Sequence, residues 1–135
     1  MTVRAGELVR TYLNALEASD LDSVTALFAE QAIVNSPLYG PMAPRQFYEV
    51  LLADTGAAKL TLRGVAEGET VDGGRLVTFW FHFDWRLPNG RPAPFDVVDV
   101  AELDADGRIV LLHIVYDTVD VRPAFEAETG TSWRT

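Results

Sequence analysis

Three glycine-bearing turns in the second half of the chain constrain its fold more than any other feature. Val71-Asp-Gly-Gly74, Pro88-Asn-Gly90 and Asp104-Ala-Asp-Gly107 separate stretches rich in β-branched and aromatic residues. Asn-Gly and Asp-Gly tolerate the positive φ that tight hairpin turns demand. The turns therefore predict four consecutive antiparallel strands, at residues 60–66, 75–87, 95–103 and 108–117.

The first half reads differently. Val9, Tyr12, Leu13 and Leu16 recur at helical spacing and predict a helix over 3–18. Ser19 stands where an N-cap belongs, with Asp20 and Asp22 in the first turn of a second helix. That helix carries Leu21, Val24, Leu27 and Phe28 and is expected to end near Glu30. Residues 32–36 suit a short strand, closed by Pro37 and the Tyr39-Gly40-Pro41 turn. Pro44 opens a third helix, with Phe47, Tyr48, Val50 and Leu51 along its apolar face and Gly56 at its end. Residues 122–135 add a short helical turn. Helices first and antiparallel strands afterwards make the fold class α+β, with no linker or repeat to divide 1–135 into more than one domain.

Composition removes several function classes. The net charge of −9 disfavours nucleic acid, whose phosphates need a basic stripe. With no cysteine there is no thiol nucleophile or zinc–thiolate site, and His82 and His113 are not spaced with carboxylates as a metal set would be. No glycine-rich phosphate loop is present either, so neither a metal nor an organic cofactor is expected. No apolar run approaches the ~20 residues of a spanning helix, and the first residues lack the apolar core of a secretion signal. The expected location is cytoplasmic, away from membranes.

Two longer stretches carry a family resemblance. Leu8-Val-Arg-Thr-Tyr12-Leu-Asn-Ala-Leu16, followed by Ser19-Asp-Leu-Asp-Ser-Val-Thr-Ala-Leu-Phe28-Ala, resembles the opening helices of ketosteroid isomerase. Phe95-Asp-Val-Val-Asp99-Val-Ala-Glu-Leu-Asp-Ala-Asp-Gly-Arg-Ile-Val110 is similar to its last hairpin, and Leu87-Pro-Asn-Gly-Arg91 with Val115-Tyr-Asp117 to limonene epoxide hydrolase. Both belong to the nuclear transport factor 2-like superfamily, which also holds small polyketide cyclases. The resemblance implies a cone: a curved antiparallel sheet wrapped around N-terminal helices, with a pocket inside for one small, largely apolar molecule. Carried over by position, Tyr12 and Asp99 fall on the isomerase's oxyanion-hole tyrosine and aspartic acid. Its general base falls on Asn35-Ser36, which cannot abstract a proton from carbon at neutral pH. The hydrolase's Arg and Asp pair falls on Trp80 and His82, and its final-strand aspartate on Ile114. Neither catalytic set is complete.

The strand Thr78-Phe-Trp-Phe-His-Phe-Asp-Trp-Arg86 has one face of Phe79, Phe81, Phe83 and Trp85 and another of Trp80, His82, Asp84 and Arg86. Plain alternation buries the aromatic face. The register implied by the resemblance turns the polar face into the cone and leaves the aromatic stripe for a partner subunit, and it is the expectation we carry forward. It sets His82 beside Asp99 as an acid–base pair, with Tyr12 as a further catalytic donor. Trp80, Asp84, Tyr116, Ile114, Val97, Ala101, Asn35, Tyr39 and Phe47 are then expected to line the pocket, while His113 points outward. The expected function is cofactor-free acid–base catalysis on a small lipophilic polyketide- or terpenoid-like molecule, as cyclase, epoxide hydrolase, dehydratase or isomerase. The alternative is a non-catalytic binding or dimerisation module. In either case a homodimer through the convex sheet face is expected.

Overall fold

A computed structural model describes residues 4–130. The chain opens with α1 (Ala5–Glu17), whose buried face of Leu8, Val9, Tyr12, Leu13 and Leu16 follows the helical period. Ser19 takes a positive φ of 56°, and Asp20 rather than Ser19 caps α2 (Leu21–Thr25), accepting from the Ser23 amide at 3.2 Å. The second helix is therefore only five residues long. The expected continuation to Glu30 is instead the start of β1 (Phe28–Ser36). Pairing with a distant strand overrides local helical spacing there: Phe28 lies opposite Ile109 and Val34 opposite Leu112.

β2 (Gly40–Met42) leads to α3 (Pro44–Ala53), which carries Pro44 in its first turn. The remaining elements are β3 (Ala57–Glu69), β4 (Arg75–Arg86), β5 (Phe95–Leu103), β6 (Ile109–Val115) and α4 (Arg122–Thr129). β3 is longer than its apolar pattern indicates, because the polar residues Glu67 to Glu69 still pair along β4. Gly56 joins α3 to β3 where its amide bonds the Arg86 carbonyl at 2.7 Å; a Cβ there would meet the Leu87 carbonyl oxygen at 2.6 Å.

The six strands form one curved, unclosed sheet in the order β2-β1-β6-β5-β4-β3. Every neighbouring pair is antiparallel except β1 and β6, which run parallel. The core fills the concave face beneath α1 and α3, and α4 sets Phe125 against Tyr39 and Trp85. No helix among the described residues is long and apolar enough to cross a membrane. The expected tail turn falls partly on residues 131–135, and the expected start of α1 at Val3, both outside the described residues.

The orientation of β4 corrects the expectation carried from the resemblance. Phe79, Phe81, Phe83 and Trp85 are all buried in the concave core, whereas Trp80 is 49% exposed on the outer face. Each aromatic ring brings 150–250 Å² of surface out of water at roughly 25 cal/mol/Å², so four of them contribute on the order of 15–25 kcal/mol as an upper bound. Turning His82, Asp84 and Arg86 inward instead would forfeit that and desolvate charges. The plain alternation rule wins.

Candidate functional site

Asp99 sits at the middle of β5, between Phe79 of β4 and Ile114 of β6, on the concave face. It is 1% exposed, and its Oδ1 has no hydrogen-bond partner. Every other strand position around it is apolar, so the carboxyl is held in a dry environment. Burial pushes its pKa well above the usual carboxylate range, and a hydrogen bond from Tyr12 offsets only part of that.

The helices bring two hydroxyls toward it. Tyr12 comes from the buried face of α1 and Tyr48 from that of α3, and their hydroxyl oxygens are 2.7 Å apart. Burial raises both phenols well above their ordinary value, and each is raised further by the nearby Asp99 charge. Tyr12 is also wedged edge-on against Phe79, with ring centroids 5.5 Å apart. The three side chains form a buried polar knot, stitched from two helices and one strand.

The knot opens on a cavity of about 30 Å³. Tyr12 and Asp99 are the titratable residues in its wall. Phe81, Phe83 and Phe95 enclose it from the sheet, and Leu16, Phe47 and Leu51 from the helices. A site built this way can offer hydrogen bonds to an uncharged oxygen in apolar surroundings. Its wall holds no basic side chain to pair with an anion.

Of the residues singled out from the sequence, Asp99, Tyr12, Phe47, Val97 and Ile114 meet at this cavity. Ala101 is buried one step further along β5, opposite Val77 and Leu112, and belongs to the core rather than the cavity wall. Tyr116 is not part of the cavity wall; its ring stacks on Phe95, which is, at 4.1 Å. Tyr39 lies beyond Phe47, and its hydroxyl donates to Asp54 Oδ2 at 2.7 Å, which commits it elsewhere.

The outer face holds the rest. His82 pairs across the strands with Asp96, Nδ1 to Oδ1 3.0 Å, and not with Asp99. Asp96 is shared with Arg63 at 3.5 Å, and the Arg63 guanidinium lies 5.7 Å over Trp80. Such half-exposed pairs are surface chemistry of small worth. Asp84 faces outward opposite Lys59. Asn35 also faces outward, its amide 3.3 Å from His113 Nδ1. A one-residue slip in register is the reason for all four corrections, because each slip exchanges the two faces of a strand. Ser36 does point inward, but its hydroxyl accepts from the Leu38 and Tyr39 amides and caps the turn. Among the described residues no three His, Asp or Glu side chains converge as metal ligands would.

The sequence reading missed Tyr48 as a partner of Tyr12, and Phe81, Phe83 and Phe95 as pocket wall. The helical spacing of Phe47-Tyr48 was the available signal for the first. The odd-numbered alternation of β4 was the signal for the others.

An open cone of six strands over two long helices, with a buried carboxyl and tyrosine at its centre, defines a nuclear transport factor 2-like protein. The chain belongs to the SnoaL-like domain family, whose pattern it matches over residues 9–112. Among solved structures, it is similar to an NTF2-like protein of unknown function from Exiguobacterium, with TM-score 0.68 at 22% identity over 82% of this chain and 98% of that one. It is also similar to a putative polyketide cyclase from Pseudomonas putida, with TM-score 0.63 at 19% identity over 90% and 98% of the two chains. A third is SalBIII, an epoxide hydrolase/cyclase-like enzyme of pyran ring formation in the polyether salinomycin, with TM-score 0.65 at 20% identity over 86% and 92%. At these identities the likeness is one of fold. No functionally curated protein matches the sequence.

Proposed function

We propose that the chain is a cofactor-free acid–base enzyme acting on a small, uncharged, largely apolar molecule of polyketide or terpenoid character. The observation that carries this is Asp99: a buried carboxyl with an unpartnered oxygen, facing a cavity. Leaving a polar group buried without a partner costs about 1–3 kcal/mol, and a core position could have been filled by Val or Leu. A ligand oxygen would satisfy it. Asp99 in its neutral form donates to that oxygen, and the Tyr12 hydroxyl, held by Tyr48, turns its one proton from Asp99 to the ligand. Their combined role is to stabilise charge that develops on the oxygen during reaction. His82 has no part in this scheme, because it lies outside the cone.

A second reading has its own support. The cavity is far smaller than the roughly 300–1,000 Å³ of ordinary ligand sites, and its wall holds one carboxyl rather than a pair. Both features suit a module that binds a small molecule without converting it.

Titration with 2-naphthol, a flat neutral phenol, tests the shared premise of a ligand at Asp99. We expect saturable binding to the parent, at least about tenfold weaker in Asp99→Ala, since a hydrogen bond in a dry site is worth about 1.5 kcal/mol. His82→Gln is expected to bind like the parent. Equal affinity in the parent and Asp99→Ala would remove Asp99 from the site.

A further inference from the structure

We propose that α4 is a lid on the cone, that Phe125 is its latch, and that a ligand reaches Asp99 only while the lid is lifted. The inference rests on the reading above, a ligand at Asp99, and concerns how that ligand is admitted.

The first ground is that the cavity at rest is too small for a ligand. It holds about 30 Å³, so part of the cone must move before anything larger than a water molecule enters. The other sides of the cone are tied down. The floor is paired sheet, with β5 between β4 and β6. The first helix, α1, is fixed to the sheet edge, where the Leu60 amide of β3 donates to Glu17 Oε2 at 2.8 Å. It is fixed to α3 by the Tyr12–Tyr48 hydroxyl pair at 2.7 Å.

The second ground is how α4 is held. Its backbone hydrogen bonds close within its own segment: the Val121 and Arg122 amides donate to the Thr118 carbonyl, Phe125 to Val121 and Gly130 to Glu126. The last strand ends at Val115, so lifting α4 breaks none of the sheet pairing. Side chains seat the helix instead. Val121, Ala124 and Phe125 are buried, and Arg122 Nη2 donates to the Pro37 carbonyl at 3.2 Å. Ahead of the helix, the Val119 amide donates to Asp117 Oδ1 at 2.9 Å in a self-contained turn, and Val119 itself is exposed. Such a turn can absorb a hinge rotation without disturbing β6.

The third ground is what α4 covers. Phe125 is wedged between Tyr39, with ring centroids 5.1 Å apart, and Trp85, at 5.9 Å. Behind those two rings stands the cavity wall. Tyr39 packs edge-on against Phe47 at 5.6 Å, and Trp85 against Phe95 at 6.2 Å. Withdrawing Phe125 therefore uncovers an aromatic surface that leads directly to two wall residues, and it frees the outer side of the ring on which Phe95 rests. An apolar ligand is captured on that surface before it moves inward. Closed again, the same helix keeps water away from the dry carboxyl.

Stopped-flow fluorescence with 2-naphthol tests the lid. In the parent the observed binding rate is expected to level off as 2-naphthol is raised, because opening comes first and sets a ceiling. Phe125→Ala loses two ring contacts and the burial of a phenyl group, so its ceiling should rise at least about tenfold. Phe125→Leu keeps most of the burial and should shift the ceiling in the same direction, which covers an alanine variant that folds poorly. Asp99→Ala should weaken binding at equilibrium and leave the ceiling where it is. A parent rate that grows in proportion to 2-naphthol without a ceiling would overturn the lid and leave the site at Asp99 standing. So would a ceiling that both Phe125 variants leave unchanged, since the gate would then lie elsewhere in the wall. If 2-naphthol binds neither the parent nor the Phe125 variants, the pocket reading falls and this inference with it.

Discussion

Replacing Asp99 by Asn should change how stability depends on pH, in a direction fixed by the site. In the unfolded chain an aspartate titrates near ~3.9. In the folded protein, burial raises that value well above its usual range. Between the two values the folded state holds a proton that the unfolded state has lost. Stability contributed by the carboxyl is then fully present below the unfolded value and is lost as pH rises toward the folded one. The slope for one proton is about 1.4 kcal/mol per pH unit, or about 2.7 kcal/mol over two units inside the window. That is a large part of the ~5–15 kcal/mol typical of a domain. Asn does not titrate, so the variant should gain on the parent by this slope from about pH 4 upward. The amide also leaves its own hydrogen-bonding groups to be placed, an offset of about 1–3 kcal/mol that does not vary with pH. Urea denaturation of both proteins between pH 4.5 and 8, followed by circular dichroism, separates slope from offset. A stability difference that stays flat across the range would refute the argument. An ionised, partnered carboxylate would give that flat result, since its contribution is already complete above the unfolded value.

The Tyr12–Tyr48 hydroxyl pair predicts a coupled response. Tyr12→Phe and Tyr48→Phe should each cost about 1–3 kcal/mol by stranding the other hydroxyl, and the double variant should cost less than their sum. Additive losses in a denaturation cycle would show that the pair contributes nothing as a unit. On the outer face, Gly64, Trp80, Val98 and Val115 lie in one cross-strand row, and we propose that this row, not the buried aromatic stripe, joins a homodimer. Light scattering should give a dimer for the parent and a monomer of 14.9 kDa for Trp80→Arg; a monomeric parent at micromolar concentration would sink the idea.

How much of this was legible in the sequence depends on how local the signal is. The hairpin turns and helix faces are short-range features, and α1, α3, β4, β5 and β6 lie close to where their patterns put them. The first turn of β1 was not legible, because Phe28 is fixed by a strand some eighty residues away. Asp99 stood out in sequence as the polar interruption of an apolar run, and that signal is physical: a lone carboxyl there is expensive. Tyr48 gave no comparable sign, since a tyrosine on a buried helix face looks the same whether its hydroxyl meets a partner or not. The face of β4 was legible, and the error came from preferring a distant register to the aromatic alternation on the strand itself. One residue of slip was enough to send His82 and Trp80 to the wrong side.

The same aromatic filling that fixed the face of β4 also sets a condition on function. Phe81, Phe83 and Phe95 leave the cone about 30 Å³, so any ligand must take space that a side chain now occupies. Phe81 and Phe83 are buried mid-sheet, and moving either would break packing on all sides. Phe95 is different. It begins β5, is only partly buried, and lies nearly parallel between Phe83 at 5.2 Å and Tyr116 at 4.1 Å. Swinging it outward loses those two stacked contacts and an edge contact with Trp85 at 6.2 Å, each worth about 0.5–1.5 kcal/mol beyond area, and a planar ligand entering the same slot restores the stacking. We propose on this ground that a ligand with a flat, unsaturated or aromatic portion opens the cone at the smallest cost. Its polar end would lie deeper, where Asp99 and Tyr12 meet.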